Sequence, residues 1–207
     1  MQLILASHVT PIIKELLKLT TPQKSNVIVV MNARDYHDPE NFRAVTEEKV
    51  AEFKDAGFKN VVPLDLKTYF DSPEQLQSYL KAQNPNVICA VGGDVFLLNT
   101  AIKLSGFDQY LKSAPKDLIY CGSSAGAIVV SQDLTPYDTN PDSKKLVHDH
   151  YGVTPEYTGL ALLNDYIVPH LGERAFAEDV KQMSRNLESA GKTVHYVSKS
   201  GVVRAGR

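Results

Sequence analysis

Cysteine is scarce in this chain: Cys89 and Cys121, each closing an apolar run, are the only two among 207 residues. That suits buried thiols in a reducing compartment better than a disulfide framework. A basic excess is also missing. Twenty-two Lys and Arg face 24 Asp and Glu, a formal net charge of -2, whereas phosphate backbones are usually met by a clustered positive surplus. No nucleic-acid partner is therefore expected. Long apolar runs are absent as well. Nothing approaches the roughly 18 residues needed to span a bilayer, and Met1-Gln2-Leu3-Ile4-Leu5-Ala6-Ser7-His8 carries no basic leader. The expectation is a cytoplasmic protein with no membrane partner. Repeats, low-complexity tracts and linkers are lacking too, so residues 1–207 are expected to form one domain, and 43% hydrophobic residues suffice for a continuous core.

What is present is a regular alternation. Short runs rich in branched residues fall at 2–5, 26–31, 60–64, 86–91 and 117–121, with helix-length amphipathic stretches between them. The run Asn26-Val27-Ile28-Val29-Val30-Met31 is apolar on both faces, as parallel strands covered by helices on both sides must be. The fold class expected is α/β with a mainly parallel, sandwiched sheet. Asp71-Ser72-Pro73-Glu74 opens a helix containing Leu76 and Leu80, and residues 40–56 form a charged helix stopped by Gly57. From Gln132 to Thr158 the pattern gives way to Thr, Pro, Asp, Asn and His, which reads as a long irregular excursion. Such a loop within a compact domain is often functional. Order resumes with a strand at 165–169, a helix from about Glu173 to Ala190, and strand-like residues at 193–197 and 201–204.

The strongest chemical signal is Asp117-Leu118-Ile119-Tyr120-Cys121 running into Gly122-Ser123-Ser124-Ala125-Gly126 and an apolar helix start. This is the context of a nucleophile elbow: small residues two positions either side of Ser124 let strand and helix approach, and a sharp turn lifts the hydroxyl above the strand end. Free N-H groups and the dipole at the helix start favour a developing negative charge. A plain small-residue turn or a phosphate-binding loop is the alternative. A second glycine turn, Gly92-Gly93-Asp94 after the run 87–91, offers a backbone N-H beside that of Ala125, or merely turns the chain; it lacks G-x-G-x-x-G spacing. Of six histidines, His170 is the best-placed base because it directly follows Tyr166-Ile167-Val168-Pro169, at a strand end where ligands gather in open α/β sheets. His148-Asp149-His150 lacks a third ligand at recognised spacing and reads as a solvated loop, so no metal is expected.

Val91-Gly92-Gly93-Asp94-Val95-Phe96-Leu97-Leu98, Tyr120-Cys121-Gly122-Ser123-Ser124-Ala125-Gly126-Ala127 and Pro169-His170, in that order, resemble the S51 serine peptidases, the family of peptidase E and cyanophycinase. The resemblance implies a three-layer α/β/α sandwich similar to class I glutamine amidotransferases, a flavodoxin-like arrangement. It makes Ser124 the nucleophile, His170 the base, and the Gly93 and Ala125 amides the oxyanion donors. It implies no cofactor and no metal, and partners limited to a small peptide substrate, with a homodimer as the self-association to look for. The family's triad aspartate lies in the loop after the elbow; Asp142, in Pro141-Asp142-Ser143, matches its surroundings better than Asp138. Peptidase E relatives prefer an aspartyl residue on the acyl side of the cut bond, and Arg174 would supply its cationic partner. Two departures stand out. The glycine block is one residue shorter than the family's Gly-Gly-Gly-Asn-Thr, and Ser198-Lys199-Ser200-Gly201 carries no acid. An Asp-Xaa dipeptidase, a catalytically impaired binding or regulatory relative, and an esterase with the same Ser, Asp, His chain order are the functions to separate.

Overall fold

A computed structural model describes residues 1–140 and 142–206. Its centre is a six-stranded sheet in the order β3-β2-β4-β5-β1-β8, formed by β1 (Gln2–Ala6), β2 (Asn26–Val30), β3 (Asn60–Leu64), β4 (Val87–Ala90), β5 (Ile119–Ser123) and β8 (Val202–Gly206). All pairings are parallel except that of β8 with β1. Alternate side chains of these strands enter two separate cores. Leu3, Leu5, Ile28, Val30, Ile88 and Tyr120 pack on one face, and Ile4, Ala6, Val27, Val29, Cys89 and Cys121 on the other. A period of two with both phases apolar is what a sheet buried between helices demands. The first face is covered by α3 (Pro73–Gln83), α4 (Val95–Leu104) and α5 (Phe107–Ser113), the second by α1 (Val9–Leu19) and α2 (Pro39–Asp55). The architecture is thus an α/β/α sandwich. Both cysteines are fully buried and free, and burial pushes the Cys89 thiol up to about 12, which leaves it inert.

Local chemistry sets the helix starts. Asp38 accepts from the amides of Glu40 and Asn41 ahead of Pro39, and Asp94 from those of Phe96 and Leu97. The aspartate that ends the Gly-Gly turn is therefore the N-cap of α4.

The region read as an irregular excursion holds a helix, α7 (Ser143–Tyr151), which ends at Gly152 in the left-handed conformation. Val147 is its buried apolar anchor. Much of its attachment is polar: the Ser143 hydroxyl donates to Asp94 and the Tyr151 hydroxyl to buried Asp35. A hydrophobic pattern could not announce such a helix. Further along, β6 (Tyr166–Leu171) pairs in parallel with β7 (Val194–Ser198) as a separate two-stranded sheet, and their register shifts between Val168 and Leu171. α8 begins later than expected, at Ala177, after a short 3-10 turn over Arg174–Phe176, and runs to Ser189. No helix among the described residues is long and apolar enough to cross a membrane.

Candidate active site

The chain leaves β1 for β2 across two intervening strand positions, so the carboxyl ends of β1, β4 and β5 open into one crevice, where ligands bind in open α/β sheets. The turn from β5 into α6 (Ala125–Ile128) sits there. Ser124 adopts φ 51° and ψ −115°, a conformation costly for a residue with a Cβ, by about 1–3 kcal/mol. Close packing holds it in place. A Cβ on Gly122 would lie 2.1 Å from the carbonyl oxygen of Gly126, so the return of chain onto strand excludes any side chain at that position. α6 has only four residues. The charge-stabilising group it offers is thus the amide of Ala125 rather than a developed helix dipole.

His170 reaches Ser124 from β6, where it lies within the strand rather than beyond it. It too has a left-handed backbone, with φ 64°. Its Nε2 is 2.9 Å from Ser124 Oγ and its Nδ1 is 2.9 Å from Glu173 Oε1. These two contacts fix the tautomer. An ionised carboxylate can only accept, so Nδ1 carries the proton and Nε2 offers its lone pair to the serine hydroxyl. Burial draws the imidazole below its ordinary 6.5 although Glu173 opposes the shift. Burial alone would raise the Glu173 carboxyl, but hydrogen bonds from His170 and His8 outweigh it and hold Glu173 below the usual glutamate range. Phe176 stacks on the imidazole, with ring centroids 3.8 Å apart and planes 15° apart.

The carboxylate bonded to His170 is therefore Glu173, not Asp142. Asp142 is exposed at the start of α7, where its amide donates to Asn140 Oδ1. Asp138, the other candidate, is held by the Tyr157 hydroxyl at 2.7 Å and by Lys144 at 3.2 Å. Both ring nitrogens of His170 are already taken, which leaves neither aspartate a bond to make. The signal that could have found Glu173 is its place three residues after His170, across Gly172, which adopts φ 80°.

Gly93 is exposed beside Ser124, and neither its amide nor that of Ala125 has an acceptor among the described residues. Gly93, Ser124, Ala125 and His170 together line a small cavity of about 190 Å³. A larger cleft of about 690 Å³ adjoins it, and its charged lining is Lys14, Arg34, Lys49, Lys199 and Glu52. Lys49 is bound to Glu48 and Glu52. Lys14, Lys199 and Arg34 form no ion pair among the described residues. Arg34 donates through Nε to the Gly92 carbonyl at 2.8 Å, which leaves the outer edge of its guanidinium uncommitted. Arg174 is exposed and lines neither cavity; the cations of the larger cleft that form no ion pair among the described residues are Lys14, Arg34 and Lys199. His8, His170 and Glu173 bring donor atoms within 4.8 Å of one another, a spacing accounted for by the hydrogen bonds joining them. His148 and Asp149 lie on exposed turns of α7.

The model of peptidase family S51 matches residues 3–199. The chain belongs to peptidase family S51. It is accordingly a peptidase. An uncharacterized peptidase of Listeria monocytogenes is 28% identical over 157 residues, covering 74% of this chain and 73% of that one. Among solved structures, a candidate peptidase E protein from Listeria monocytogenes superposes with a TM-score of 0.72 at 17% identity, covering 100% of this chain and 98% of that one. A peptidase from an acI-B1 Actinobacterium gives 0.67 at 12% identity, covering 99% and 83%. At those identities the two structures establish the shared fold.

Proposed function

We propose that this S51 peptidase is serine-type and hydrolyses small acidic peptides, Asp-Xaa dipeptides among them, through an acyl-enzyme. The observation that carries the proposal is the unbroken line from Ser124 Oγ to His170 Nε2 and from His170 Nδ1 to Glu173, each step 2.9 Å, with the serine on a strained turn. In the proposed reaction His170 Nε2 takes the hydroxyl proton as Oγ bonds to the substrate carbonyl carbon. The resulting imidazolium is stabilised by Glu173, and the oxyanion by the amides of Gly93 and Ala125. Collapse expels the amine, which leaves with the proton from His170. Water then attacks the ester carbonyl carbon, giving a proton to His170, and His170 returns that proton to Ser124 Oγ as the bond to the acyl carbon breaks and the carboxylic acid leaves.

The shorter glycine block is compatible with this reaction, because the Gly93 amide remains without a partner beside Ser124. The acidic preference is supported by the uncommitted cations of the cleft, and Arg34 is proposed as the fork that receives the substrate carboxylate. Incubation with Asp-Xaa and Ala-Xaa dipeptides tests the assignment. Free aspartate should appear from the first set and no free alanine from the second, and Ser124→Ala should abolish the release; turnover by the variant equal to wild type would exclude Ser124.

A further inference from the structure

Three consecutive residues at the end of β1 each hold one member of the line described above. The Ala6 carbonyl accepts from the Ser124 amide at 2.9 Å. The Ser7 hydroxyl accepts from the His170 amide at 2.8 Å and donates to the Val197 carbonyl at 2.9 Å. His8 places Nε2 2.9 Å from both oxygens of Glu173. Since the carboxylate can only accept, that nitrogen donates, and a single N-H straddling two oxygens fixes the plane of the carboxylate. The His8 ring also meets that of His170 edge-on, with centroids 5.1 Å apart.

We propose that His8 is a positioning residue that clamps Glu173 against His170 and shares the charge of that carboxylate between the two imidazoles. The inference rests on the roles given above to Ser124, His170 and Glu173. Its physical content is that two imidazoles compete for one carboxylate. With both oxygens engaged, Glu173 cannot rotate away from Nδ1, and the tautomer needed for catalysis persists. A positive charge on His8 opposes a second one on His170 close by. The other charged groups facing the pair are Lys14 on α1, Lys199 in the turn between β7 and β8, Arg34, Lys49 and Glu52 across the cleft, and Asp179 on α8, which favours the charged form of His170. None of these bonds to either ring among the described residues, so His8 is the partner through which Glu173 is shared.

The test separates the clamp from the charge. His8→Gln keeps a neutral N-H donor near the same position, whereas His8→Ala removes it. The clamp predicts that His8→Ala lowers kcat roughly tenfold with KM little changed, and that His8→Gln restores kcat to within about threefold. The charge predicts that the acid limb of kcat/KM moves to higher pH in both variants, because loss of the competing imidazole leaves Glu173 free to raise His170. Titration of the His170 imidazole by NMR in Ser124→Ala, with and without His8→Gln, reads the same shift without any turnover. A failure of the peptidase reading would silence the kinetics and leave that titration intact. An unchanged His170 titration, or a His8→Gln variant as slow as His8→Ala, would overturn the proposal.

Discussion

Glu173→Gln removes the negative charge beside His170 while keeping the side chain's length and an oxygen able to accept from Nδ1. The charge it deletes stabilises an imidazolium that exists only after the proton has left Ser124. Opposite charges about 4 Å apart at an effective dielectric near 20 attract by about 4 kcal/mol. Glu173 is shared with His8 and retains 16% of its side-chain exposure, so roughly half of that, about 2 kcal/mol, is a lower bound for the loss. At 1.36 kcal/mol per tenfold, kcat should fall between about 30- and 1000-fold. KM should change little, because Glu173 lies behind the histidine and lines neither cavity. Glu173 also opposes the lowering of the His170 pKa, so the variant's residual activity should keep its acid limb at lower pH than wild type. Michaelis constants for an Asp-Xaa dipeptide across pH 4 to 8 measure both effects, with Asp142→Ala as the comparison expected to match wild type. A Glu173→Gln rate within threefold of wild type, or an Asp142→Ala rate that collapses instead, would refute the assignment of the acid.

Arg34→Ala should raise KM for Asp-Xaa dipeptides tenfold or more, with a smaller effect on kcat, whereas Arg174→Ala should leave both constants unchanged; steady-state kinetics on the two variants decides between them. Gly122→Ala should destabilise the fold by about 3 kcal/mol, since its Cβ would fall 2.1 Å from a backbone oxygen, and denaturant unfolding will show this as a lowered midpoint. Tyr151→Phe removes the hydroxyl that donates to buried Asp35 and should cost about 1–3 kcal/mol. The same unfolding assay measures that loss, with the serine chemistry retained.

The parts of this molecule legible in the sequence are those whose cause is local. β1, β2, β4 and β5 announce themselves because burial on both faces leaves uninterrupted apolar runs, and the Ser124 turn because strand, small residues and helix start are contiguous. His170 follows from its place at the end of another apolar run. The acid was not legible, because reaching Nδ1 from Glu173 depends on the left-handed backbone at His170 and on Gly172, and a register shift in the pairing of β6 with β7 accompanies that bend. Asp142 lay in a promising stretch of polar residues, but that stretch folds into α7 and leaves the side chain in solvent. Arg34 and His8 enter through strand order. The loops after β2 and β1 meet the β5 turn only because the sheet interleaves its strands, a fact no window of sequence contains. The glycine block illustrates the same limit. The block is one residue shorter than the family's, and the role of Asp94 at its end as the cap of α4 needed the fold to be seen.

The central claim is that Ser124 is an activated nucleophile. An activated fluorophosphonate, followed by mass spectrometry of the modified peptide, tests this without knowledge of the substrate. The account predicts stoichiometric labelling on Ser124, slowed by His170→Ala and absent in Ser124→Ala. A wild-type protein that folds normally yet stays unlabelled at Ser124 would contradict it.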